Sequence, residues 1–319
     1  MKLFQTILFC LLTMAPVLSF GQESPLHIQQ ILASYDTTSI VAFGERHNQK
    51  EVLDFYLELI HSEKFQQNVN DIVLELGNSL YQKELDDFIY GKSQSEVNCL
   101  SDIWRSATNS LIQFGDDKVV RTIIREVQKI NKQLPLDKKI RVLVVDPPIN
   151  WDAIEKSEDF WPWLGRRDRY FASIIWDEVI DKNRNAFFIA GRQHLFRNDP
   201  KPTNYIGVVE LLEARLEKKI TIIHLDSDVD ESKTPQKLTE VLESNFSEKK
   251  VNSNFELRYK DAIDAVLYLG ELNSIKTAPY SDSNFLTKLN RRSQIVNSSP
   301  FKYNSYDYLK YLISEFGVS

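Results

Sequence analysis

The sequence predicts an α/β fold in which a mainly parallel sheet is flanked by helices. Three observations predict it: apolar runs rich in valine and isoleucine recur along the chain, segments with helical spacing separate them, and the 319-residue composition, 42% hydrophobic and 26% charged, is globular. Continuous apolar runs are typical of parallel strands, because helices cover both faces of a parallel sheet. Their alternation with helical segments favours the doubly wound type.

Six short apolar runs are the predicted strands. In chain order they are SIVAFG (39–44), DIVLEL (71–76), IRVLVVD (140–146), AFFIAG (186–191), ITIIHLD (220–226) and AVLYLG (265–270). Because helical patterns lie between most of them, we expect the strands to be joined by crossovers that pack on the sheet.

Amphipathic segments separate these runs. After the first run, one helical face carries Val52, Phe55, Tyr56, Leu59 and Ile60. Asn48, with Glu51 three residues later, predicts a capping box at the start of that helix. A second helix is predicted over about 168–181.

The domain organisation is predicted from spacing and composition. More than sixty residues, 77–138, separate the second and third strands, which is longer than a simple crossover requires. Helical patterns at 81–90, 101–112 and 117–131 predict an insertion lobe over the C-terminal edge of the strands. From about residue 227 the chain is less regular, with a helix expected within 227–262. We therefore expect one α/β domain over residues 22–319.

The first 21 residues resemble a secretory signal peptide. Lys2 precedes an apolar run from Leu3 to Leu18, and Ser19 and Gly21 supply small residues at the two key positions before the expected cleavage at Gln22. The run is too short and too interrupted for a membrane span. We therefore expect an exported protein, periplasmic or secreted, without a membrane span. Cys10 lies in this segment, so Cys99 alone remains and no internal disulfide is expected.

The charge distribution bears on the class of partner. The formal net charge is −6, and the basic residues are scattered along the chain. Nucleic-acid-binding proteins gather such residues into a stripe or patch, so this pattern disfavours nucleic acid. We expect a small-molecule ligand or substrate. His27 and His61 are expected at the surface without a role.

Ionisable residues fall at successive ends of the predicted strands. In chain order they are Glu45 and His47, Glu75, Asp146, His194, and His224 with Asp226. In open α/β sheets, ligands bind in the crevice beyond the carboxyl ends of the strands. The sequence therefore predicts one polar site at this edge.

The GERH turn, residues 44–47, suggests two chemistries. Glu45 and His47 project to the same side of an extended turn, and the helix that follows disfavours a protonated imidazole. A neutral imidazole oriented by a carboxylate is a general base. Glu45, His47, Glu75 and His194 also suit a divalent metal ion, and the spacing alone leaves both open. H-E-x-x-H, GxSxG, Walker and GxGxxG motifs are absent, which disfavours the enzyme classes that use them.

A cluster of arginines and aromatic residues lies before the fourth strand. Arginines in this cluster are expected to hold an anionic group or a developing oxyanion. The alternative is that Arg166 and Arg169 are solvated and that Arg167 alone points inward. Asp146, Trp151 and Arg192 are the predicted substrate contacts. For Trp151, packing in the core is an equally open alternative.

These motifs together resemble the erythromycin esterase-like and ChaN-like superfamily, which also includes the Tiki/TraB proteins. Residues 44–47 are similar to the G-E-x-H of ChaN-like proteins, and residues 73–75 to the strand-end glutamate that follows. Residues 167–172 resemble the R-D-x-x-M-A helix start of the esterases, with Phe171 in place of Met. Residues 190–195 resemble the glycine-to-histidine turn of both groups.

The resemblance implies an esterase-type hydrolase with His47 as its catalytic base. Glu45, Glu75, Arg167 and His194 would complete the site. The esterases have one more residue between the glutamate and the histidine than this chain has. A haem- or metal-binding protein without turnover, or a Tiki-like metalloprotease, is the alternative that the resemblance leaves. The cofactor accordingly stays open between a divalent metal ion, haem and none.

Overall fold

The fold comes from a computed structural model that describes residues 24–93, 100–109, 118–198, 206–225, 236–251, 256–276 and 282–297. The predicted signal peptide, Cys99, Asp226 and the chain from residue 298 lie outside the described residues. The signal peptide therefore stays a prediction. In the described ranges, no helix is long and apolar enough to cross a membrane.

The described strands form one seven-stranded sheet. They are β1 Ile40–Glu45, β2 Asp71–Asn78, β3 Arg141–Asp146, β4 Ala186–Gly191, β5 Thr221–Leu225, β6 Lys237–Glu240 and β7 Ala265–Tyr268. Their order is β3-β2-β4-β1-β5-β7-β6, and all neighbours are parallel except β6 and β7. All six predicted runs are strands, which confirms the α/β fold with a mainly parallel sheet.

A helix was expected within 227–262, and the described part of that range contains the four-residue helix Tyr259–Ala262 at its end and also strand β6, which the pattern did not predict. The four residues of β6 pair antiparallel with β7 and lie at the edge of the sheet. So short a run, with a charged residue at each end, carries too weak a pattern to reveal a partner that lies later in the chain.

Eleven α-helices occur within the described ranges. They are α1 Leu26–Ala33, α2 Lys50–His61, α3 Glu63–Asn68, α4 Gln82–Ile89, α5 Asp102–Arg105, α6 Lys118–Asn131, α7 Ser157–Leu164, α8 Arg167–Ile175, α9 Val208–Glu213, α10 Tyr259–Ala262 and α11 Ser283–Asn297. The predicted helix over 168–181 is α8 followed by a π-helical turn, Trp176–Ile180.

Two apolar cores cover the two faces of the sheet. Helices α2, α4 and α6 pack on one face, where β1 contributes Val41 and Phe43. Helices α8 and α9 pack on the other face, where β1 contributes Ile40 and Ala42. Burying a large apolar side chain contributes about 1.5–3 kcal/mol. Because successive residues of β1 serve opposite cores, both cores fix the register that carries Glu45 to the edge.

Helix α2 buries its predicted apolar face, but the predicted capping box is wrong. Gln49 is the N-cap residue, and Asn48 adopts a left-handed conformation with φ of 59°. The Glu51 carboxylate instead accepts hydrogen bonds from the backbone and side-chain N–H groups of Asn273, at 2.7 and 2.9 Å. A tertiary partner after β7 thus replaces the local cap.

The insertion between β2 and β3 has two parts. Helices α4 and α6 pack on the face of the sheet, in the same core as α2. The residues after α5 instead reach the C-terminal edge of the strands, where Thr108 donates two hydrogen bonds to Asp146. This second part therefore connects the insertion to the candidate site.

His27 corrects a further expectation, because it is buried. Its ring lies 6.1 Å from that of Phe55, measured between centroids, where α1 packs on α2. Burial lowers the pKa of His27, and the charge of Glu58 opposes that shift. His61 is largely exposed, as expected, with Nε2 3.6 Å from Glu126.

Candidate functional site

Sheet order brings the five predicted catalytic residues together. Strands β3, β2, β4 and β1 are consecutive neighbours, and their carboxyl ends share one edge. Glu45 at the end of β1 is in register with Gly191 at the end of β4, and β2 on the far side of β4 supplies Glu75. Helix α8 begins with Arg167, and the turn after β4 carries His194.

Glu45 and His47 form a hydrogen-bonded pair. His47 Nδ1 lies 2.9 Å from Glu45 Oε1, and the Tyr56 hydroxyl donates to Glu45 Oε2 at 2.7 Å. The Glu45 side chain is 4% exposed, whereas that of His47 is 31% exposed. Burial, with the charge and hydrogen bond of Glu45, raises the pKa of Tyr56 well above its ordinary value, so the hydroxyl remains a donor.

Glu75 is the centre of the site. Its Oε2 accepts the backbone N–H of Gly191 at 2.6 Å, and its Oε1 lies 2.8 Å from Arg167 Nη2 and 3.2 Å from His194 Nε2. His47 Nε2 lies 3.7 Å from Oε2. Burial alone would raise the pKa of Glu75, but the charges of His194 and Arg167 outweigh it and hold that pKa well below its usual range. Glu75 is therefore an ionised carboxylate.

Gly191 permits this close arrangement. A Cβ at Gly191 would lie 3.0 Å from His47 Nε2 and 3.3 Å from Glu75 Oε2. Contacts that short require neighbouring atoms to shift, so a larger residue would push the imidazole or the carboxylate away. The glycine of the predicted turn thus sets the spacing between these two side chains.

Arg167 is held from two sides. Its Nε donates to Asp146 Oδ1 at 2.8 Å while Nη2 donates to Glu75, and its guanidinium lies 5.1 Å from the ring of Phe171. Asp146 has no exposed surface and also accepts the Thr108 N–H at 2.5 Å and the Thr108 hydroxyl at 2.7 Å. Burial raises the pKa of Asp146, against the effects of Arg167 and Thr108. Asp146 therefore holds Arg167, and its carboxylate is closed to solvent.

His194 is a cation at neutral pH. Its Nδ1 lies 2.5 Å from Asp168 Oδ1, and its Nε2 faces Glu75. Burial lowers the pKa of His194, but the charges of Asp168 and Glu75 outweigh that effect and raise it to about 9. An imidazolium donates from both nitrogens, which suits a ring between two carboxylates. Arg167 Nη1, 3.4 Å from Nε2, is then a second cation that shares Glu75.

His224 has the opposite charge state. It is 1% exposed, and its Nε2 lies 3.1 Å from the Leu195 carbonyl oxygen. Burial and then the charge of Arg192 lower its pKa to about 3, although the hydrogen bond to Leu195 opposes the shift. The two histidines therefore differ in charge at neutral pH because their surroundings differ.

The two remaining predicted substrate contacts, Trp151 and Arg192, differ in their exposure to solvent. Trp151 is buried, stacks on Phe160 at 5.1 Å and donates its indole N–H to the Ser106 carbonyl at 2.9 Å. Its side chain belongs to a small core with α7 and α11. Arg192 begins the turn that carries His194 and is partly exposed. Within the described ranges, no group of three or more His, Cys, Asp or Glu residues is placed to hold a metal ion.

Three residues of this network, Tyr56, Asp168 and Thr108, are not among the predicted site residues. Tyr56 was assigned only to the apolar face of α2, although a buried tyrosine hydroxyl needs a partner. Asp168 follows Arg167 in the predicted motif, and its Oδ2 also accepts the Val208 N–H at 3.1 Å. Thr108 carried no signal, because its link to Asp146 depends on the path of the insertion.

Comparisons with known proteins assign the chain to no family. No protein-family model and no curated protein sequence matches the chain. The fold is similar to that of the type III effector HopBA1, with 11% identity over 77% of this chain and 94% of the effector, at a TM-score of 0.44.

Two further solved structures are similar at the same level. A Bacillus cereus protein has 9% identity over 80% of this chain and 100% of its own, with a TM-score of 0.47. ChaN of Campylobacter jejuni, in a structure that describes cofacial haem binding, has 16% identity over 63% of this chain and 86% of its own, with a TM-score of 0.36. The likeness to ChaN concerns the fold alone, and the resemblance to erythromycin esterases stays a prediction.

Proposed function

We propose that this protein is a hydrolase in which His47 activates water to attack an ester or a related bond. The observation that carries the proposal is the 2.9 Å contact between His47 Nδ1 and buried Glu45, in a ring that is otherwise partly exposed beside Glu75. A carboxylate in this position fixes the tautomer with the proton on Nδ1, so that Nε2 is the basic nitrogen. The Tyr56 hydroxyl in turn holds Glu45.

The proposed reaction begins with water beside His47 Nε2. The water proton passes to Nε2 as its oxygen bonds to the carbonyl carbon, and Glu45 stabilises the imidazolium that forms. The carbonyl π electrons move onto oxygen and give a tetrahedral oxyanion. When this collapses, the bond to the leaving oxygen breaks and His47 returns its proton to that oxygen. The products are an acid and an alcohol.

Two cations, Arg167 and His194, would stabilise the negative charge that develops on the oxyanion. Arg167 and His194 contact Glu75 Oε1, whereas His47 lies nearest Oε2, and both cations are buried to a large extent. Asp146 and Asp168 hold them in place before substrate arrives, and positive charge held in a water-poor site stabilises an oxyanion more strongly than it would in water. We assign Arg167 and His194 to charge stabilisation or substrate positioning.

Kinetics of matched histidine variants test this proposal. The mature protein is screened on carboxylic esters, lactones and amides, and the best substrate is used for His47→Ala, Glu45→Gln and the control His61→Ala. General-base catalysis contributes about 10²–10⁴-fold, so kcat should fall by that factor in His47→Ala and stay unchanged in His61→Ala. Circular dichroism checks folding. Full activity of folded His47→Ala would refute the role of the base.

Ligand binding without turnover is the second candidate, and the same imidazole favours it. A carboxylate on Nδ1 is also the usual partner of a histidine that ligates a metal or a haem iron. His47 Nε2, however, faces the carboxylate of Glu75 at 3.7 Å and the backbone of Gly191, so a haem face would meet polar atoms. The residues present therefore fit water and a polar substrate better than haem.

Haem titration separates the two candidates. A stoichiometric Soret shift in the wild type that is lost in His47→Ala, together with no turnover in the screen, would replace the hydrolase by a binding protein. A weak shift that persists in the variant would leave the hydrolase in place.

We also propose that the protein works after export, on the basis of residues 1–21. Mass spectrometry of the protein recovered from its native host tests this. A mature N-terminus at Gln22 is expected, and an intact Lys2 in the exported fraction would contradict the cleavage.

A further inference from the structure

His224 is a buried imidazole that the proposed reaction does not use. It lies on β5, directly beside Gly44 of β1 in the register of the sheet. A Cβ at Gly44 would lie 2.4 Å from His224 Cδ2, so the ring occupies the space that a side chain at Gly44 would need. The ring also packs against that of Phe196, with centroids 4.9 Å apart.

The His224 ring contacts the backbone of two residues that are sequence neighbours of the proposed catalytic groups. Gly44 directly precedes Glu45, which orients the base. Leu195 directly follows His194, and its carbonyl oxygen lies 3.1 Å from His224 Nε2. A single side chain therefore touches both the strand end that carries the base and the turn that carries the cation.

The tautomer and the charge of the His224 ring follow from its hydrogen-bond partner and its burial. A carbonyl oxygen can only accept, so Nε2 must carry the proton and donate. Burial disfavours a charged ring, and the nearby charge of Arg192 disfavours it further. The contact is therefore a hydrogen bond from a neutral imidazole that does not change across neutral pH.

We propose that His224 is a positioning residue that fixes the turn of residues 192–195 against the end of β1, and so sets His194 at its distance from Glu75. The catalytic consequence of this inference rests on the proposed function. The geometric consequence does not, because the position of His194 can be measured without a substrate.

Two amide variants form a matched test. In His224→Gln the amide N–H reaches about as far as Nε2 and can still donate to the Leu195 carbonyl. In His224→Asn the amide ends short of that carbonyl, and the hydrogen bond is lost. The readout is the NMR titration of the His194 imidazole, whose pKa of about 9 depends on its contacts with Asp168 and Glu75.

The expected result is a difference between the two variants. His224→Gln should titrate His194 near the wild-type midpoint, whereas His224→Asn should lower the midpoint by about one pH unit or more, because the turn no longer holds His194 between its carboxylates. An unchanged midpoint in folded His224→Asn would reduce His224 to a packing residue. If His224→Asn does not fold, His224→Leu takes its place, because leucine fills similar space without a donor; a lowered midpoint in His224→Leu beside an unchanged one in His224→Gln supports the proposal, and an unchanged midpoint in both refutes it.

Kinetics then separate this inference from the proposed function. On any substrate found by the screen, His224→Asn should lose about tenfold or more in kcat with little change in KM, and His224→Gln should recover most of it. If the screen finds no activity, the His194 titration still decides the positioning role. If the titration shifts but kcat does not, the turn is held by His224 without serving the reaction, and the catalytic part of the inference fails.

Discussion

The same three strands carry a buried ion network at each end, and the two networks differ in kind. At the carboxyl ends, Arg167 joins Asp146 of β3 to Glu75 of β2, at 2.8 Å each. At the amino ends, Asp71 of β2 accepts Arg141 Nε of β3 at 2.8 Å and Arg184 Nε, just before β4, at 2.5 Å. Both networks therefore tie neighbouring strands together.

Their composition sets them apart. The amino-end network joins arginines to Asp71 and Glu178, and an arginine stays charged at any pH of interest. The carboxyl-end network includes His194 and the partly exposed His47, whose rings can exchange protons. A closed network of permanent charges stabilises the sheet, whereas one that contains imidazoles can also do chemistry.

The largest effect should follow removal of Asp71. Asp71→Ala leaves Arg141 and Arg184 without their shared carboxylate, and breaking a buried ion pair in this way costs about 3–5 kcal/mol. Urea unfolding measures this loss. Because the two edges are separate, kcat of the folded variant should be unchanged on a substrate from the screen. A fall in kcat per folded molecule would show that the two edges are coupled.

The pH dependence of stability should come mainly from the other edge. The pKa of His194, about 9, lies above the 6.5 of an unfolded histidine. Its stabilising contribution is therefore fully present below about pH 6.5 and is lost as the pH rises through 9. The shift corresponds to roughly 3 kcal/mol. Urea unfolding at pH 6.5 and 9.5 should show this loss in the wild type and a smaller one in His194→Gln, and equal losses would contradict the assignment.

Tyr56→Phe should have a smaller effect that separates orientation from packing. The variant keeps the ring in the core but removes the 2.7 Å hydrogen bond to Glu45. Leaving a buried charged acceptor with one partner fewer costs about 1–3 kcal/mol, and a less firmly held Glu45 should lower kcat by about tenfold. Phe55→Leu, in the same core, is the control, because it should lower stability without that loss of kcat.

The smallest effect should come from Thr108, which connects the insertion to the site. Thr108→Val keeps the shape but removes the hydroxyl donor to Asp146, and a net hydrogen bond to a charged group is worth about 1.5–3 kcal/mol at most. Because the backbone N–H of residue 108 still donates to Asp146, we expect the free energy of unfolding of Thr108→Val to fall by only about 1 kcal/mol. Thr108→Ser should retain wild-type stability to within half that amount. No loss in Thr108→Val, or an equal loss in Thr108→Ser, would show that the hydroxyl donor does not account for the effect.

The sequence predicts the parts of this molecule that local pattern determines. Each parallel strand is buried on both faces, so its apolar run is visible without knowledge of its neighbours. Glu45, Glu75 and His194 follow from strand ends because parallel strands share an edge. Strand ends do not predict the roles of Tyr56, Asp168 and Thr108. Each of these roles depends on the carboxylate or imidazole that the fold places beside the residue. The mistaken cap at Asn48 has the same cause, because Glu51 binds Asn273, far along the chain.

The position of β1 in the sheet has a consequence for how the protein comes into being. Ile40 pairs with Ala186 on one side, and Val41 pairs with Thr221 on the other. A polypeptide synthesised from its N-terminus therefore exposes the apolar run of β1 long before either neighbour exists, and contacts so distant in sequence form slowly. Glu45 and His47 meet the rest of their site only after most of the chain has been made. If the protein is the proposed hydrolase, a nascent chain that ends before His194 would therefore lack activity.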